Sequence, residues 1–144
     1  MTKRELVSKI NDLIEDARCA VLASITSENK PRIRWMTPTF LPGEDHMMYT
    51  ITNPESNKIH DMKNNENVSW MFQMKDLSEI VNVQGKMNII DNPSLKAEII
   101  ELIGGRIHVI WRLNPEADFI VLETVIEEGI YFNPMKSVCE TVKF

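Results

Sequence analysis

The chain is short of the residues that small proteins use as staples or as phosphate cradles: of 144 residues, two are cysteine, five glycine and three histidine. Cys19 and Cys139 sit among apolar residues with no Cys-x-x-Cys or Cys/His spacing, so they are expected as reduced thiols and not as a disulfide framework or zinc site. The glycines never fall into the G-x-G-x-x-G or G-x-x-x-x-G-K-[ST] spacing, which removes a Rossmann or P-loop reading. His46, His60 and His108 lie in different segments without an H-E-x-x-H pairing, so no metal site is expected. There is no G-x-S-x-G elbow, and the carboxylate pair Glu127-Glu128 falls in turn-like sequence, where a solvated surface explains it. Apolar runs of membrane-spanning length are missing, and Lys3-Arg4-Glu5 puts charge where a signal peptide needs its apolar segment. A cytoplasmic protein without a membrane partner is expected. Positive charge is in deficit too: 16 Lys and Arg face 21 Asp and Glu, a formal net charge of −5. The average field repels nucleic acid, and an anionic ligand has to be held by a local cluster of cations.

What is present describes an ordinary globular chain, 43% hydrophobic and 26% charged, long enough to bury one core, so a single domain over residues 1–144 is expected. Thr2 with Glu5 has the capping-box pattern, and Leu6, Ile10, Leu13, Ile14 and Ala17 follow at helical spacing. Residues 19–25 read as a buried strand closed by turn residues 27–31. Residues 32–41 alternate, with Ile33, Trp35, Thr37, Thr39 and Leu41 on one side and Arg32, Arg34, Met36, Pro38 and Phe40 on the other. After the turn at 42–45, residues 46–52 return as a strand, and the two are expected to form a hairpin. Residues 53–56 carry helix-start signals. Val68, Trp70, Phe72 and Met74 then form the apolar face of a strand, and residues 77–90 form a long one in which Gly85 suits a bulge. A helix starts at 91–93 and stops at Gly104-Gly105. Residues 106–112 are ambiguous, 114–118 read as a loop, 119–126 as a strand, 127–129 as a tight turn and 130–132 as its returning partner. Residues 133–144 read as a tail or an extended arm. The order predicts a mainly β, α+β fold: an antiparallel split barrel of six to seven strands with flanking helices.

Two places stand out. Arg32 and Arg34 are one strand repeat apart and share a face, and Ser56-Asn57-Lys58 opens a helix, where free N–H groups, a hydroxyl and an ammonium favour an anion. If the strand ending near Thr50 lies beside the one carrying Arg34, both cations reach one phosphate. Periodicity supports equally a solvated barrel face on which Ser56 merely caps a helix.

The stretches Cys19-Ala20-Val21-Leu22-Ala23-Ser24, Lys30-Pro31-Arg32-Ile33-Arg34-Trp35-Met36-Thr37-Pro38, Met48-Tyr49-Thr50, Ser56-Asn57-Lys58-Ile59 and Asn67-Val68-Ser69-Trp70-Met71-Phe72 resemble the pyridoxamine 5′-phosphate oxidase-like FMN-binding split barrels, particularly their general stress protein branch. The likeness runs from about residue 17 to 90, and more loosely through the C-terminal strands. It implies that Arg34 and Lys58 bind the FMN phosphate with help from Thr50 and Ser56, with Asn57 between them. It also implies that the backbone of Trp35, Met36 and Thr37 runs along the isoalloxazine ring with Tyr49 nearby, and that the cofactor lies between the subunits of a homodimer.

There are departures. Asn57 stands where the oxidase has a second phosphate-binding arginine, Ile80 replaces a ring-contacting glutamine, Thr39 replaces a substrate-binding lysine, and the C-terminal Arg-x-His is missing. Oxidation of pyridoxamine phosphate is therefore not expected. The resemblance implies an FMN-dependent oxidoreductase or stress-related redox protein acting with a small-molecule substrate or electron donor, and no side chain is assigned as acid or base. A flavin carrier or sensor without turnover is the alternative, as is a split barrel that binds haem or a deazaflavin.

Overall fold

The structure is a computed structural model that describes residues 1–104 and 118–144. Trp111 and the segments read as ambiguous or as a loop fall outside the described residues, apart from Asp118.

Helix α1, Lys3–Ala17, begins with the expected capping box: the Thr2 hydroxyl accepts from the Glu5 N–H, and the Glu5 carboxylate accepts from the Thr2 N–H at 2.7 Å. Its Leu6, Val7, Ile10, Leu13 and Ile14 are buried where the helix crosses β4, β5 and β7. Burial of each side chain contributes roughly 1.5–3 kcal/mol, which far exceeds the cap. Strands β1 (Ala20–Ile25) and β2 (Pro31–Met36) form a hairpin through a turn in which Asn29 takes φ +62°.

The remaining elements are β3 (Met47–Thr52), α2 (Asn57–Asn64), β4 (Asn67–Gln73), β5 (Ile80–Ile90), α3 (Pro93–Ile103), β6 (Ile120–Asn133), a 3₁₀ turn (Pro134–Lys136) and β7 (Val138–Lys143). All ladders are antiparallel, in the order β2-β1-β4-β5-β6-β3, with β7 added to β6. The seven-stranded sheet curls without closing. At its open side the segment that follows β2 meets β3 at an isolated bridge, where Thr39 and Tyr49 exchange two 2.8 Å backbone hydrogen bonds.

That bridge corrects the expected hairpin between 32–41 and 46–52. Regular pairing of β2 stops at Met36, just before Pro38, which has no N–H for a ladder, and β3 takes β6 as its partner. The predicted turn at 127–129 is also absent, because β6 runs through it as one strand of 14 residues. Its register against β5 shifts between Gln84 and Gly85, so Glu127 is the extra residue of a bulge. There the strand also changes its other neighbour: Ile120–Val125 pair with β3 and Glu128–Asn133 with β7. Gly129 packs against Leu6 of α1 instead of turning the chain. Of the two readings of the C-terminal stretch the extended arm is the one found, as β7, and Cys139, expected among apolar neighbours, is exposed on it.

Inside the sheet, Trp70 and Phe72 stack with centroids 5.9 Å apart. The Trp70 indole donates to the Thr124 hydroxyl at 3.0 Å, which in turn faces the Met87 thioether at 3.3 Å. A second apolar cluster lies under α3 and joins Ile99 and Ile103 to Tyr49, Ile51, Phe119 and Val121.

Candidate functional site

The cation cluster forms where α2, packed against β1, reaches β2 through an ion pair. Antiparallel pairing sets Ser24 opposite Arg32 and Leu22 opposite Arg34, which places these four side chains on one face. Leu22 and Ser24 are buried there, and on that face Arg34 is half-buried and Arg32 lies at the exposed edge, while Ile33 and Trp35 are left on the other side, 69% and 79% exposed. The alternation of residues 32–36 is as expected; its apolar side is the one left in solvent.

Arg34 donates through Nη1 to the buried Ser24 hydroxyl at 2.9 Å, while its Nη2 is buried without a partner. Arg32 pairs at 3.2 Å with Asp61 of α2, a carboxylate only 3% exposed. Ser56 is the N-cap residue of α2, yet its side chain makes no capping bond and its Oγ is likewise buried and unpartnered. Lys58 lies in the first turn of α2, half-buried, and among the described residues no carboxylate pairs with it. Its ammonium is held below the ordinary lysine range, first by burial and then by the Arg34 charge. Arg34 is itself pushed down by burial, with Asp61 opposing and Arg32 adding to the effect.

Arg34 and Lys58 are thus brought within range of each other's field, with the free hydroxyl of Ser56 on the same opening turn. Two cations that feel each other's charge and two orphaned polar atoms make an arrangement that is costly as it stands and is satisfied by an anion with several acceptor oxygens. A phosphate fits that donor set.

The other anticipated residues are placed differently. The Thr50 hydroxyl donates to the Thr37 carbonyl at 2.7 Å, which ties β3 to the segment after β2. Met36 is half-buried against the main core, Trp35 points outward, and Asn57 is exposed. The ring of Tyr49 packs under α3, and burial, then the neighbouring Glu123 carboxylate, raise its phenol to about 12. Ile80 lies on β5 between Gln73 and Phe132.

Sequence reading missed Ser24 and Asp61. A polar residue at a buried strand position and a carboxylate beside the apolar Ile59 and Met62 of a helix were the available signals. Among the described residues Glu44, Asp45 and His46 bring metal-ligand atoms within 4.8 Å of one another at the turn before β3, where His46 already pairs with Asp45.

An open antiparallel barrel of this topology is shared with the pyridoxamine 5′-phosphate oxidase-like split barrels. The chain belongs to that family: the family described as "Pyridoxamine 5′-phosphate oxidase" matches residues 6–132. The fold resembles general stress protein 26 from Bacillus anthracis str. Sterne (TM-score 0.73, 26% identity, covering 96% of this chain and 98% of that one). A Clostridium acetobutylicum protein related to general stress protein 26 is similar over 100% of this chain and 97% of its own, with TM-score 0.76 and 16% identity. A heme binding protein from Mycobacterium smegmatis shares the fold at TM-score 0.69 and 11% identity, over 95% of this chain and 57% of that one. No curated protein matches the sequence. Among the described residues no helix is long and apolar enough to cross a membrane.

Proposed function

We propose that the protein is an FMN-binding redox protein of the stress-response type that holds the flavin phosphate at Arg34, Ser56 and Lys58 and works as a cytoplasmic homodimer. The observation that carries this reading is the pair of buried, unpartnered groups, Arg34 Nη2 and Ser56 Oγ, together with the Lys58 ammonium, which no carboxylate among the described residues pairs. When bound, the flavin supplies hydride or electron transfer, and the protein supplies position and polarity. Arg34 and Lys58 neutralise the phosphate, the Ser56 hydroxyl and the first free N–H groups of α2 complete its hydrogen bonds, and Ser24 fixes the guanidinium. Thr50, through the Thr37 carbonyl, steadies the backbone of residues 35–37, along which the ring is taken to lie. Asn57 is exposed at the turn where the oxidase has its additional arginine, and it adds no charge.

The outward face of β2 supports the dimer. Exposed Trp35 and Ile33 sit beside partly exposed Val21 and Ala23, so an apolar surface borders the proposed ring site. The test is the absorbance of purified protein after incubation with excess FMN and removal of free ligand. A yellow protein is expected, and a colourless one defeats the reading. Haem is the second reading, favoured by the Mycobacterium smegmatis relative. A Soret band in the protein as isolated, with no flavin retained, would establish it in place of FMN.

A further inference from the structure

We infer that Asp61 is the resident counter-ion of the two arginines, a positioning residue that holds Arg32 and offsets the charge of Arg34 until a phosphate arrives, without being a ligand of that phosphate. The inference rests on the flavin-phosphate reading and assigns a role to a residue outside the proposed ligand set. Asp61 is only 3% exposed although it is charged, and it is seated on the inner side of α2 with Ile59 and Met62. A lone carboxylate there would be strongly disfavoured, and its partner is Arg32 at 3.2 Å. Its charge also reaches Arg34, where it opposes the effects of burial and of Arg32. The carboxylate is therefore turned toward the arginines.

Three cations with one carboxylate leave a surplus of two positive charges, which matches a phosphate dianion. A carboxylate and a phosphate are both acceptors and repel each other. Asp61 must therefore stabilise the empty site and weaken the filled one, whereas a purely architectural residue would support both.

Three variants test this: Asp61→Asn, Arg32→Met and the two combined. Each is titrated with FMN and with riboflavin, which lacks the phosphate, and each is melted without ligand. Asp61→Asn is expected to melt at a lower temperature than wild type and yet to bind FMN about fivefold tighter, with riboflavin affinity unchanged. Arg32→Met exposes the phosphate to an unbalanced Asp61 and should bind FMN about fivefold more weakly. The double variant should return to within about twofold of wild type, and because it removes a buried charge together with its partner it decides the matter even if Asp61→Asn does not fold. Unchanged or weaker FMN binding by Asp61→Asn overturns the inference. So does a double variant as weak as Arg32→Met, which would make Arg32 a phosphate ligand. If wild type itself binds FMN no better than riboflavin, the phosphate reading fails and this inference falls with it.

Discussion

Replacing Arg34 with alanine separates a ligand-binding role from a structural one, because the two predict opposite results in the protein without ligand. The Arg34 guanidinium has one satisfied nitrogen, bonded to Ser24 at 2.9 Å, and one buried nitrogen with no partner. An unsatisfied buried donor costs about 1–3 kcal/mol, and like-charged Lys58 and Arg32 add to the cost. Arg34→Ala removes these penalties together with the one bond that the Ser24 hydroxyl accepts from Arg34. The stability of the protein without ligand should therefore stay within about 1 kcal/mol of wild type, a shift of roughly 2–4 °C in Tm. With FMN bound, the same guanidinium would lose a charge-assisted hydrogen bond worth about 1.5–3 kcal/mol, so FMN affinity should fall by roughly 10- to 150-fold. Quenching of flavin fluorescence measures the affinity, and riboflavin serves as the control whose affinity should not move. FMN affinity within about threefold of wild type would refute the reasoning, as would equal losses for FMN and riboflavin.

Lys58 makes binding sensitive to pH. Its value lies below 10.5 because the charged form is penalised in the fold, so stability without ligand should rise as pH climbs through the folded-state value toward 10.5. FMN affinity should fall over the same window as the ammonium is lost, and Lys58→Arg should flatten that fall; a pH-independent affinity in wild type would count against the site. At the bulge, a Cβ added to Gly85 would collide with the Val125 carbonyl, whereas one added to Gly129 meets the movable end of Leu6. Gly85→Ala should therefore lower stability in denaturant melts by about 2–3 kcal/mol and Gly129→Ala by less, with the reverse ranking refuting the bulge geometry. Trp35→Glu puts a charge on the exposed face of β2 and should turn a dimer into a monomer in light scattering while leaving the fold unchanged by circular dichroism; a persistent dimer would place the interface elsewhere.

Much of this protein is written locally. The capping box of α1, the Asn29 turn, the apolar face of β4 and the bulge at Gly85 depend on a few neighbouring residues, and each could be read from spacing and residue type. Arg34, Ser56 and Lys58 could likewise be picked out, because a strand repeat and a helix start are local patterns. Tertiary structure alone decided which strand pairs with which, since a period of two says which residues share a face and nothing about the partner or about which face is covered. For that reason Glu127-Glu128-Gly129 looked like a turn but is a bulge in a continuous strand, and only the fold shows that the side carrying Ile33 and Trp35 is the one that faces solvent. The packing of α2 on the sheet is equally non-local. It brought the Asp61 carboxylate to the arginine pair of the β1/β2 hairpin, and so made a corner with a surplus of positive charge that no single segment of the sequence contains.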